Sequence, residues 1–128
     1  MRSLFISIII IVGISLLIFA DVIYVTRAID QVTRAVHATV SVEEFEEYDL
    51  EEILAQVGYV EEMWRKHRPL IILAVNRQYI ILVDTLLANI RSNVRADDAQ
   101  NYAVNRGALL IALHNIRQIE GFTLEGIV

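Results

Sequence analysis

The sequence predicts an all-α protein: an N-terminal transmembrane helix extended into an antiparallel bundle of about four helices. Three observations carry this. The first is an apolar run from Leu4 to Val25, interrupted near its end by Asp21. The second is the return of apolar residues at steps of three and four through most of the remaining chain, the period of a helix with one buried face. The third is composition: 5 Gly and 1 Pro in 128 residues supply few of the tight turns that a sheet-rich domain needs.

The anchor comes first. Leu4 to Ala20 carries no charge, and about 20 apolar residues in a helix cross the hydrocarbon core of a bilayer. A cleaved signal peptide has a shorter apolar region and small residues at the cleavage site. Here Ile18-Phe19-Ala20 puts Ile where a small residue is usual, so a retained anchor over 1–25 is expected, followed by a soluble domain over 26–128. Arg2 on one side and Arg27 and Arg34 on the other nearly balance as orientation signals. A very short head before a single anchor usually stays cytoplasmic, which places the domain outside the cytoplasm. Asp21 and Tyr24 fit the interfacial level.

Past the anchor, Val25, Ala28, Ile29, Val32, Ala35 and Val36 form a stripe with no Gly or Pro between them, so the same helix is expected to run on over about 26–39. The link from Thr39 to Asp49 reads as loop or helical turn, and Asp49 with Glu52 has capping-box spacing. A second helix over about 49–67 carries Leu50, Ile53, Leu54, Val57, Val60, Met63 and Trp64, with Gly58 as a mark of close helix contact. Pro69 suits the first turn of a helix, so a break is expected at His67-Arg68-Pro69 and a third, central helix over 69–94. Its seam is Leu73, Asn76, Ile80, Val83, Leu87, Ile90 and Val94, with Asn76 fixing register. Asp97 or Asp98 caps a fourth helix over 97–120, Gly121 stops it, and the apolar tail 121–128 folds back into a groove.

Charge is divided unevenly. Residues 41–62 hold nine acids and no base, whereas residues 63–128 hold eight bases against five acids. The plain expectation is that these two segments pack together. The density of carboxylates from Glu43 to Glu52 could offer oxygen ligands to calcium, but the spacing lacks the alternating acids and fixed Gly of a calcium loop. His37, His67 and His114 lie far apart, without partner ligands at metal-binding spacing. With no Cys there is no disulfide framework or thiolate chemistry. No Gly-rich phosphate loop or nucleophile elbow is present, and a nucleic-acid binder would want a dense basic face with aromatics. The sequence therefore assigns no catalytic residue, cofactor or metal. Asp84 on the third helix could pair with Arg106 on the fourth, or Arg106 and Arg77 could hold a small anion.

A short anchor, Trp64-Arg65-Lys66 near mid-chain, and the ending Ile116-x-x-x-Glu120-x-x-Thr123-Leu124-Glu125-x-Ile127 complete a pattern. It resembles the uncharacterised bacterial family catalogued as domain of unknown function 4363, small single-anchor proteins of endospore-forming bacteria. The family usually has Asn where this chain has Gly126, and often Pro where it has Arg117. The resemblance implies a helical extracytoplasmic domain and a link to spore-former membrane biology; it brings no catalytic residues.

The expected function is a non-enzymatic, membrane-anchored helical interaction module, an accessory subunit of a membrane complex in a spore-forming bacterium, whose partner is a membrane protein or a second copy. The candidate interaction residues are Trp64, Asn76, Arg77, Arg106, Phe122, Leu124 and Ile127. The alternative is a sensor-like helical domain that binds a small anionic ligand.

Overall fold

The structure, a computed structural model, describes the backbone of residues 1–127 and the side chains of residues 1–119. It contains four α-helices: α1 (Arg2–His37), α2 (Leu50–Ala74), α3 (Arg77–Arg95) and α4 (Ala99–Ile127). A 3-10 turn, Phe45–Glu47, interrupts the link between α1 and α2. Each helix packs on two others in a closed ring: α1 on α2, α2 on α3, α3 on α4, and α4 on α1.

The 36 residues of α1 divide by their surroundings. From Leu4 to Phe19 the large apolar side chains are exposed. This stretch makes α1 long and apolar enough to cross a membrane. The stripe foreseen in the sequence, Val25, Ala28, Ile29, Val32, Ala35 and Val36, is buried, and burial begins one turn earlier, at Val22. With no Pro in α1 and its one Gly at Gly13, nothing in the sequence provides a joint between the two parts.

The largest departure from the sequence reading is at Pro69. α2 runs through it to Ala74, and the break falls at Val75-Asn76, both extended. The missing proline N–H removes one backbone bond, the one that would reach the Arg65 carbonyl. Both residues lie on the exposed side of α2, where water can take that carbonyl. Against that small loss stands burial. Ile53, Val57, Val60, Trp64, His67 and Ile71 follow steps of four and three across Pro69, and all are buried. A break at 67–69 would take Ile71 out of the core. Consequently Leu73 and Asn76 do not belong to the seam of α3. Leu73 is exposed near the end of α2, while Asn76 is the N-cap of α3, its side-chain oxygen accepting a long 3.4 Å bond from the Gln78 N–H. The rest of that seam, from Ile80 to Val94, is buried as expected.

Other boundaries also shift. Asp49 does precede α2, but its carboxylate makes no capping bond. Asp98 caps α4 through its side chain to the Asn101 N–H at 3.1 Å. Just before it, Asp97 takes a left-handed conformation (φ 54°) and closes the end of α3. The Asp98 N–H reaches the Asn93 carbonyl and the Asp97 N–H reaches the Val94 carbonyl, the paired closure that usually employs glycine. Gly121 does not stop α4, which continues to Ile127, so the expected fold-back tail is replaced by helix over those residues.

Candidate functional site

Among the described residues, three groups of polar side chains join different helices, apart from the Asn105–Asn93 bond between α4 and α3 and the Arg117–Asp30 pair between α4 and α1. The first is the C-terminal end of α1. A helix ends with carbonyls that lack partners, and here Arg106 from α4 supplies them. Its Nη2 donates to the carbonyls of His37 (3.3 Å) and Thr39 (3.4 Å), and its Nε donates to Thr39 Oγ1 at 2.8 Å. Thr39 Oγ1 in turn donates to the Val36 carbonyl at 2.5 Å. Alongside, the Tyr102 hydroxyl donates to the Val40 carbonyl at 2.7 Å, its ring tilted against buried Phe45 with centroids 5.1 Å apart. Burial pushes the Tyr102 phenol above its ordinary pKa. The interior crevice bordered by Thr39, Val57, Tyr102 and Arg106 has room for about 10 Å³, the lower limit for one water.

The second place joins α2 and α3. Asp84 accepts from the Trp64 indole Nε1 at 2.7 Å and from Arg68 Nη2 at 2.8 Å. One turn before Trp64 on α2, Glu61 accepts from Arg91 Nε at 2.8 Å and also from its Nη2. Gly58 lies beside this pair. A methyl there would meet only the Arg91 Nη2, at an ordinary 3.6 Å, so Gly58 reflects no close approach of helix backbones.

The third place is His67, buried between α1 and α2. Its Nε2 lies 2.9 Å from Gln31 Oε1, and its Nδ1 lies 2.9 Å from the Tyr24 hydroxyl. An amide oxygen only accepts, so the proton sits on Nε2 and the tyrosine donates to Nδ1. Both ring nitrogens are satisfied in the neutral form. Burial, then the nearby Lys66 charge, lower the His67 pKa below its ordinary value.

This geometry revises the sequence reading of the site. Trp64 is a core residue, 3% exposed, rather than part of a surface. Asp84 pairs with Arg68 and Trp64, not with Arg106. Arg77 is exposed at the start of α3 while Arg106 closes the end of α1, so the structure does not bring these arginines together. The side chains of Phe122, Leu124 and Ile127 lie outside the described residues. The acidic segment packs on the basic one where α2 lies on α3, with Glu61 paired to Arg91, but its densest run of acids takes no part in that pairing. Among the described residues the ion pairs are Arg68–Asp84, Arg91–Glu61 and Arg117–Asp30, none of which draws on Glu43 to Glu52. No three His, Asp or Glu side chains among the described residues gather to hold a metal ion. The sequence reading overlooked His67, although a signal existed: it continues the stripe of α2 in phase, three residues after Trp64 and four before Ile71.

A scan against protein-family models finds no match, and neither the curated proteins nor the solved structures searched contain a chain that matches this one.

Proposed function

We propose that this chain is a non-enzymatic, membrane-anchored antiparallel helical bundle that serves as an interaction module, an accessory subunit of a membrane complex. The observation that carries the reading is α1 itself: one helix whose first part is apolar on every side and exposed, and whose second part is a wall of the bundle. Such a helix holds the bundle rigidly at one bilayer surface. The antiparallel arrangement rests on how partners pair. As α1 advances from Tyr24 to Val40, its partners on α2 fall from His67 to Gln56. As α2 advances from Glu61 to Arg68, its partners on α3 fall from Arg91 to Asp84. The interaction role is supported by how the interior polar groups are used. Thr39, His67, Asp84 and Arg106 all spend their hydrogen bonds holding helices together. The same proposal sets the bundle on the outer face of a spore-former membrane, a side that rests on the short head before the anchor and on the family resemblance alone.

The test uses the full-length chain in a bacterial membrane. Resistance to alkaline extraction, together with loss of the bundle to protease added outside spheroplasts, is the expected result. Release by alkali overturns the anchor, and protection from protease reverses the orientation. Photoreactive residues at exposed Tyr59 and Ile111 should then yield a discrete crosslinked membrane protein. A chain that crosslinks to nothing is not an interaction module.

A further inference from the structure

We infer that the turn between α2 and α3 seats on the same bilayer that α1 crosses, with Leu70 and Leu73 at the lipid interface. The inference rests on the reading of α1 as a bilayer anchor. Height along the bundle is fixed by His67, whose ring meets both Tyr24 and Gln31. From there α2 runs seven more residues toward the anchor, to Ala74, an advance of about 10 Å at ~1.5 Å per residue. The tip therefore comes level with Asp21 and Val22, the point where α1 loses its protein neighbours.

What the tip presents there is unlike the tip of a bundle surrounded by water. Leu73 is 81% exposed and Leu70 51%, and the first turns of α3 add Ile81 at 50% and Leu82 at 45%. Large apolar groups clustered on a free surface need a cover. The anchor already brings one to this height. Charge points the same way. Arg77 is exposed directly after the break, and Arg27, Arg65 and Lys66 are exposed on the same half of the bundle. The acids from Glu43 to Glu52 lie in the link and the first turn of α2 at the opposite end, beside the Val40–Gln56 bond. A basic collar behind an apolar tip suits an anionic headgroup layer. Continuation of α2 through Pro69 gives the tip its reach; a helix ending at residue 67 would stop about two turns short.

The natural absence of Cys makes the test direct. Three single-cysteine variants of the full chain, Ile9→Cys, Leu73→Cys and Tyr48→Cys, are labelled with a nitroxide. Each is reconstituted in vesicles of phosphatidylcholine and phosphatidylglycerol. All three sites are exposed, so the labels leave the core intact. Collision with oxygen, which concentrates in lipid, is compared with collision with a water-soluble nickel chelate. The oxygen-to-nickel ratio at 73 should exceed that at 48 several-fold and resemble that at 9, at shallower depth. If 73 resembles 48 while 9 stays in lipid, the tip proposal falls and the anchor stands. If 9 also meets nickel freely, the anchor reading fails and takes this proposal with it. A label at 73 shielded from both reagents means that a protein or a second copy covers the tip, which overturns lipid seating.

Discussion

Ile9 and Ile29 belong to one uninterrupted helix and are the same residue, yet Ile9 is 55% exposed and Ile29 is fully buried. What separates them is the pattern around each. Near Ile9 every face of α1 is apolar, so no single wall of a small bundle could cover it. Near Ile29 the apolar residues fall on one stripe, with Arg27, Asp30 and Arg34 on the other side. The comparison teaches that apolar content alone does not choose the surroundings of a helix; its angular distribution does. An all-round apolar helix wants lipid, and a striped one wants other helices.

Substitution should separate the two halves most sharply. Ile29→Ala opens a cavity in the core and should cost about 2–5 kcal/mol of bundle stability. Ile9→Ala should change bundle stability by less than about 0.5 kcal/mol, as do surface substitutions that touch nothing. Thermal unfolding of the full chain in detergent measures both, and equal losses would mean that the two halves of α1 are not separate environments.

A smaller effect comes from His67, which ties the two regions at their junction. Its folded pKa is lowered by burial and by Lys66, so the unfolded chain binds a proton more readily. The stability that the neutral ring contributes is present above the unfolded value of about 6.5 and drains away as pH falls below it. The slope for one such group is at most about 1.4 kcal/mol per pH unit. Unfolding followed between pH 7 and the onset of carboxylate titration should show this loss in the native chain and a flatter profile in His67→Gln. The same slope in both chains would assign it to other groups.

The smallest effect compares two glycines. Gly58→Ala meets only the Arg91 side chain at ordinary contact distance and should stabilise the bundle by about 0.5–1 kcal/mol. Gly13→Ala meets nothing within 4 Å. It should leave the bundle's unfolding unchanged while α1 stays in its micelle. A loss at Gly58 would reveal a closeness between helices that the structure does not contain.

The elements that were legible in the sequence are those whose evidence is local and periodic. The run from Leu4 onward, the stripe from Val25 to Val36 and the seam from Ile80 to Val94 could be read directly, because burial repeats with the turn of the helix. Pro69 misled because its backbone cost is visible in the sequence, while the burial of Ile71 that outweighs it depends on a neighbouring helix. Asn76 misled for the opposite reason: its spacing fits a heptad, but its side chain serves better at a helix start. Pairings between helices were the least legible part. Asp84 had several arginines within reach on paper, and only packing selects Arg68. Arg106 as the closure of α1 is 67 positions from Thr39, a distance across which sequence spacing carries no geometric information.

On the proposed reading of α1 as an anchor, its lack of a joint makes it an angular ruler. Each residue inserted between Asp21 and Val25 would turn the exposed apolar part by about 100° against the bundle and lift it by about 1.5 Å. Seven residues would bring it back to within about 20° of its starting azimuth, a little over 10 Å higher. A contact with lipid is indifferent to azimuth and responds only to height. A contact with a partner helix in the membrane responds to both, so a ladder of insertions reads out which of the two this anchor has been set for.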